Sequence, residues 1–381
     1  MYNISTHYNN IFELIKSITP EPAIIYLHPH GSTEIENIEH LLVESNDQLH
    51  IADAIVICYD QEPLMHTYNK TLFEYINDKI LAYRSKKKVI LLNTELDGDD
   101  KDKILSDYNY IDCYYFHHAF AANDWFREYY YNKSIINPSL RKLSKKFITM
   151  NRLTSYARVY RTLLINELIT HDILDQGYVS YSKTCPYGGT FELNLIKNQS
   201  HYNIPTNLIK TTISNINNSD SDFRIDFKEE EFIPNRSFSL DPIPVFNESF
   251  LHIVTETNYW NRRKHLTEKI FKPIILKQPF VLVGCAYNLE YLKSYGFKTF
   301  NTWWDESYDN IENDIDRMHA IGHTLKQICS YSLPELEEML KDMEETLNYN
   351  HNLFFSRDFI NSAWQELETN LISAISQVNS Q

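Results

Sequence analysis

"HLTEKIFKPIILKQPFVLVG", His265 to Gly284, carries a helix start and a buried strand back to back. Thr267 stands just ahead of an apolar pattern at Ile270, Ile274 and Ile275. It therefore reads as an N-cap, with Glu268 and Lys269 in the first helical turn. Phe280–Val283 is continuously apolar rather than alternating, the pattern of a strand covered on both faces. A helix running straight into such a strand is half of a parallel βαβ unit, which predicts an α/β fold.

The same pattern recurs outward from this stretch. "AIIYLHPHGS" (Ala23–Ser32), "ADAIVICYDQEP" (Ala52–Pro63) and "KKVILLNTELDGDD" (Lys87–Asp100) are apolar runs that end in polar residues. Helical stretches follow them, and "IDCYYFHHAF" (Ile111–Phe120) reads as a fourth strand. A basic segment with Pro138, Asn137–Lys146, separates this half from a second one. The second half restarts with a strand at Phe147–Met150. A helix capped by Ser155 follows, with Val159, Leu163, Leu164 and Leu168 on one face. "GYVSYS" (Gly177–Ser182), "FLHIVTET" (Phe250–Thr257) and the short "KTF" (Lys298–Phe300) are further strands, and the tail is helical. Cys185–Asn247 is polar and gives no assignment. The expected domains are 1–140 and 141–350, both Rossmann-like, and 351–381, a helix that can cross back to the first. Two such sheets facing a central cleft would bind ligand at their strand C-termini.

Charge and cysteines narrow the class. The 381 residues carry a formal net charge of −15, which repels a phosphate backbone and argues against a general nucleic-acid coat. Basic residues still cluster at Arg141–Lys146, at Arg152, Arg158 and Arg161, and at Arg262–Lys264. Five scattered cysteines with no CxxC pair indicate neither a zinc ribbon nor a dithiol site and fit a reducing compartment. No basic-then-apolar leader and no apolar run near ~18 residues is present, so a cytoplasmic protein without a membrane span is expected. GxGxxG, Walker and GxSxG signatures are absent.

Glu268–Lys269 is the most informative pair. A first helical turn presents free N–H groups and partial positive charge to an anion. Lys269 adds a cation for phosphate, and a neighbouring carboxylate suits vicinal hydroxyls, as on a ribose. Phosphate plus ribose is a nucleotide. The plainer reading is a helix-start acid beside a solvated lysine.

The wider stretch Phe250–Gly284 resembles the nucleotide-binding segment of the α1,3-fucosyltransferases. Their pattern is a strand ending in Glu-Asn-Ser, a short loop, Thr-Glu-Lys opening a helix, and an apolar strand ending near Gly. Glu256, Thr267–Lys269 and Pro279–Gly284 match in order and spacing, while Thr257–Asn258 stand where Asn-Ser is expected. The continuation after Gly296 is similar to uncharacterised viral and bacterial glycosyltransferase-like proteins. The resemblance implies a GT-B glycosyltransferase taking a sugar from a nucleoside diphosphate sugar, with 1–140 as the acceptor domain, 141–350 as the donor domain, and no metal or other cofactor expected. It implies that Glu268 holds the ribose and Lys269 the diphosphate, alongside Glu256 and Thr267. It also implies a phosphate-binding arginine near the start of the second domain, for which Arg152 and then Arg158 are candidates. A solvated helix face remains the other reading of Arg158 and Arg161.

Sugar transfer also needs a base for the acceptor hydroxyl. Asp60 and Glu62 follow one buried strand and Glu95 another; His28 and His30 are further choices. Each acid can instead cap the next helix. "WWDESYD" (Trp303–Asp309) reads as a cover for the base or sugar, or as a helix start with tryptophans in the core. Asp97-Gly98-Asp99 reads as a metal-binding pair or as ordinary turn chemistry. His117–His118 is expected to pack beside Tyr114–Phe116. The acceptor is a glycan hydroxyl or a hydroxymethylated base in viral DNA. A non-catalytic nucleotide- or glycan-binding module on the same fold is the alternative.

Overall fold

The computed structural model describes residues 6–26, 49, 51–81, 88–130, 137–186, 188–219 and 243–380. His28 and His30 lie outside them. The chain is α/β and forms two compact units. The first comprises Met1–Asp124, Arg263–His265 and Arg357–Gln381; the second comprises Trp125–Arg262 and Leu266–Ser356.

In the first unit, β1 (Pro22–Tyr26), β2 (Ala54–Cys58), β3 (Val89–Asn93) and β5 (Tyr110–Tyr114) form a parallel sheet in the order β1-β2-β3-β5. Every residue of β2 and β3 is buried, which accounts for their unbroken Val/Ile runs. Ile55, Ile57, Val89 and Leu91 pack against Phe73, Ile76 and Ile80 of α2 (His66–Leu81) and Ile104 of α3 (Asp99–Tyr108). α13 (Arg357–Asn379) packs along β5 and β3, and α1 (His7–Ile18) packs on α13. The run read as one strand from Ile111 to Phe120 divides. It leaves the sheet at Tyr114, and α4 (His117–Tyr130) begins three residues later. Asp97–Gly98 (β4) pairs antiparallel with Arg263–Lys264 (β9).

In the second unit, β6 (Lys145–Asn151), β7 (Gly177–Tyr181), β8 (Ser249–Thr255) and β10 (Phe280–Val283) form a parallel sheet ordered β10-β8-β6-β7. The chain enters at β6, moves out to β7, then returns to the other side of β6 as β8. The sheet therefore has a switch point between β6 and β8, where the connections leave in opposite directions. α5 (Tyr160–Thr170) bridges β6 and β7, while α9 (Glu268–Ile275) bridges β8 and β10. Right-handed crossovers in opposite directions put these two helices on opposite faces. Accordingly α5 packs with α7 (Thr206–Asn218) and α11 (Asp314–Cys329), and α9 packs with α12 (Leu333–Phe355). The short helices α6 (Phe191–Asn198), α8 (Ile243–Asn247) and α10 (Asn288–Ser294) complete the unit.

Gly177 opens β7 directly beside its register partner Phe147; a Cβ there would lie 2.1 Å from the phenyl ring. Lys298–Phe300, expected as a strand, is not one. The Asn350 side chain accepts from the Lys298 amide and donates to its carbonyl, both at 2.8 Å, and so takes the place of a ladder neighbour.

Candidate functional site

The C-terminal ends of β8 and β6 gather polar side chains around the switch point. Glu256 directly follows β8 and is almost fully buried. Its carboxylate accepts from the Thr267 hydroxyl at 2.6 Å and from the amides of Thr267 and Thr257, each at 3.2 Å. Burial raises its pKa, and Lys269 and Thr267 oppose that rise. Thr267 is the N-cap of α9, in extended conformation, and its oxygen accepts from the Lys269 amide at 3.5 Å. The Lys269 ammonium donates to Thr257 Oγ1 at 3.0 Å, Thr267 Oγ1 at 3.1 Å and Glu268 Oε1 at 2.9 Å. Its side chain keeps 31% exposure while that of Glu268 keeps 9%. A cation so held faces solvent along a helix start, anchored by two hydroxyls and one carboxylate.

Two buried arginines shape the surrounding loops. Arg161 of α5 is buried and donates to the carbonyls of Leu153, Thr255 and Glu256 at 3.1–3.2 Å. The reading of Arg161 as a solvated face is thus corrected: its guanidinium ties the end of β8 to the loop after β6. Arg317 of α11 donates to the carbonyls of Gly284, Ile311, Glu312 and Tyr259 and to Asp314. Sequence reasoning passed over Arg317, whose helix position carries no motif. Trp260 joins the two loops by donating to the Ala157 carbonyl at 2.9 Å, and Tyr259 stacks on Tyr160. Arg152 is exposed just past β6, and Arg158 is half-buried in the 3-10 turn that leads into α5.

Three polar atoms around these strand ends make no hydrogen bond among the described residues: Asn151 Oδ1, Thr154 Oγ1 and Asn258 Nδ2. Each belongs to a buried residue.

The acids of the first unit have different surroundings. Asp60, following β2, is fully buried and accepts from the hydroxyls of Tyr8 at 3.2 Å and Tyr115. His117 stacks near Tyr8, with Nδ1 3.0 Å from the Tyr115 hydroxyl oxygen. Glu62 is half-buried on the following loop. Glu95, after β3, is fully buried, accepts from the Leu64 amide and pairs with Arg263 at 3.3 Å. Burial pushes its pKa up to about 7 against the pull of Arg263. Asp100 pairs with Arg263 at 2.8 Å, and Asp97-Gly98 is spent on the β4–β9 bridge.

The WWDESYD segment packs and caps. Trp304 is buried and stacked on Phe300, Glu306 accepts from Thr299 and Phe300, and Asp309 caps the first amides of α10. Among the described residues no group of three or more His, Cys, Asp or Glu is placed to hold a metal ion, and no helix is long and apolar enough to cross a membrane. Comparison with protein-family models, with curated proteins and with solved structures returned no match.

Proposed function

We propose that this chain is a glycosyltransferase of the GT-B kind, moving a sugar from a nucleoside diphosphate sugar to a hydroxyl. The observation that carries the reading is the Lys269 ammonium, held at the start of α9 by Thr257, Thr267 and Glu268 beside the switch point. In an open parallel sheet the switch point is where nucleotides are bound. Lys269 and the first-turn amides would neutralise the departing diphosphate, and Arg152, exposed just past β6, would add a second cation. Glu268 would exchange its lysine for the ribose hydroxyls.

The acceptor hydroxyl needs a carboxylate base. Asp60 and Glu95 are enclosed, whereas Glu62 keeps access to solvent, so Glu62 is the first choice and Glu95, with its pKa near neutrality, the second. A net charge of −15 favours a glycan hydroxyl over DNA as acceptor.

The test is a thermal-shift panel of UDP-, GDP-, CDP- and dTDP-sugars with wild type and Lys269→Ala. A donor at 100 times its Kd should stabilise the wild type by about 2.7 kcal/mol. No shift with any donor, or an equal shift in both proteins, would sink the reading. Binding without release of nucleoside diphosphate in the presence of acceptor glycans would make the chain a binding module.

A further inference from the structure

α5 and α11 pack together within the second unit, and each carries two metal-type donors one turn apart. Glu167 lies in the last turn of α5 and His171 is its C-cap, while His319 and His323 stand on α11. Residues four apart share one face of a helix. Here the two faces meet. Glu167 Oε1 lies 2.9 Å from His319 Nδ1, and Glu167 Oε2 lies 3.5 Å from His171 Nε2. The rings of His171 and His323 are 4.9 Å apart, centroid to centroid. The Glu167 side chain is enclosed at 5% exposure, whereas His319 keeps 46% and His323 is exposed. The cluster therefore has a buried floor and a rim open to water.

Gly322 makes this approach possible. A Cβ there would strike Glu167 Oε2 and lie 3.1 Å from His171 Nε2. A glycine inside a helix costs about 1 kcal/mol against alanine. In α11 it admits a carboxylate and an imidazole from the neighbouring helix. Burial, and then His323, Lys326 and His319, hold the His171 pKa below its ordinary value, so this ring stays in the neutral form that ligates metals. The C-terminal end of α5 adds partial negative charge, which favours a cation.

The spacings are those of metal ligands. Two ligand atoms on one tetrahedral zinc ion stand about 3.4 Å apart when the bonds are about 2.1 Å. As they stand, the side chains bond one another, and no three of them are placed to hold an ion. An ion entering between Glu167 and His319 displaces the shared proton to solvent, and the exposed His323 ring turns about its own side-chain bonds to join. Two histidines four apart on one helix face are an arrangement that binds zinc. Imidazole beside carboxylate favours the late first-row ions over Mg2+ and Ca2+.

We propose that α5 and α11 form a site for a divalent transition ion of the zinc type, with His319 and His323 as the outer ligands and Glu167, backed by His171, as the inner one. Glu167 lies about 9 Å along α5 from Arg161, towards the end of the helix remote from the switch point. The site is therefore a clasp between two helices, independent of the Lys269 grip and of the reading built on it.

The experiment is calorimetric titration of the protein, carrying no polyhistidine tag, with ZnCl2 and with MgCl2, for wild type, His319→Ala, His323→Ala and Glu167→Gln. Wild type should take up one equivalent of Zn2+ at about pH 7.5 and release it at about pH 5.5, where imidazoles take up protons. Mg2+ should give no heat. Both histidine variants alter exposed side chains, so they should stay folded, and each should bind Zn2+ at least about tenfold more weakly. Glu167→Gln should weaken Zn2+ as well, and Zn2+ should raise the melting temperature of wild type but not of the double variant His319→Ala, His323→Ala. The proposal is overturned if wild type binds no Zn2+, or binds Mg2+ equally. It is also overturned if the histidine variants hold Zn2+ as tightly as wild type, which would put the ion on other surface histidines. A loss in those variants with a folded Glu167→Gln protein unaffected overturns it too, since the ion would then sit on α11 alone.

Discussion

The Thr267 hydroxyl donates to Glu256 at 2.6 Å while its oxygen accepts from the Lys269 ammonium at 3.1 Å, so one side chain joins the end of β8 to the start of α9. Thr267→Val removes the cap and leaves a buried carboxylate one donor short. A loss of about 1–3 kcal/mol follows. Urea denaturation of the Val and Ser variants checks it: Ser should recover most of the loss, and a Val variant within 0.5 kcal/mol of wild type would contradict it.

Lys269→Ala should act on binding rather than on folding. The ammonium is partly exposed, so its removal changes stability by about 1 kcal/mol or less. Affinity for a nucleoside diphosphate should fall at least tenfold, and the wild-type affinity should weaken with added salt. Calorimetry at two ionic strengths distinguishes this from a misfolded variant.

Glu95 titrates upward on folding, to about 7. Its folded pKa lies above its ordinary value, so the protonated form is favoured in the fold. Its contribution is therefore present below about pH 4.5 and is lost as pH rises towards about 7. That loss is at most about 3 kcal/mol. Glu95→Gln should remove this slope from a stability-versus-pH curve. Arg263→Met should extend the slope above pH 7 and cost about 3 kcal/mol, because it leaves a buried acid without its partner.

His351 shows the opposite sign. It is buried on α12 with Nδ1 2.9 Å from the Ile275 carbonyl, and burial lowers its pKa to about 4. Its folded pKa lies below the ordinary value, so stability is lost as pH falls from about 6.5 towards about 4, by at most about 3 kcal/mol. The windows of Glu95 and His351 overlap and oppose, so single variants are needed to see either. His351→Gln should flatten the acid limb; an unchanged limb would refute the assignment.

Arg317→Leu should be among the most destabilising single changes in the second unit. It strands the carbonyls of Gly284, Ile311, Glu312 and Tyr259 at once. A loss above about 3 kcal/mol is expected, visible as reduced cooperative unfolding or low yield. Arg317→Lys should not rescue it, since a single ammonium cannot span those acceptors.

Much of the local structure was legible in the order of residues. The unbroken apolar runs of β2, β3, β8 and β10 announce strands covered on both faces, and Thr267 announces the start of α9, because these signals lie within a few consecutive residues. The pairing of Glu268 with Lys269 was equally local. Lys298–Phe300 misled because a strand needs a neighbour, and the neighbour there is an asparagine side chain some fifty residues away.

What only tertiary structure decided is how the long polar side chains are used. Arg161 and Arg158 stand three residues apart on one short stretch, yet one is enclosed as a carbonyl clamp and the other half-open. Asp60 and Glu95 both follow buried strands, yet tyrosines surround one and an arginine from Arg263–His265 faces the other. Apolar periodicity is written in neighbours because a helix or strand repeats every few residues. The partners of a buried charge are brought from far along the chain, and only the folded backbone sets which carbonyls and hydroxyls lie within 3 Å of it.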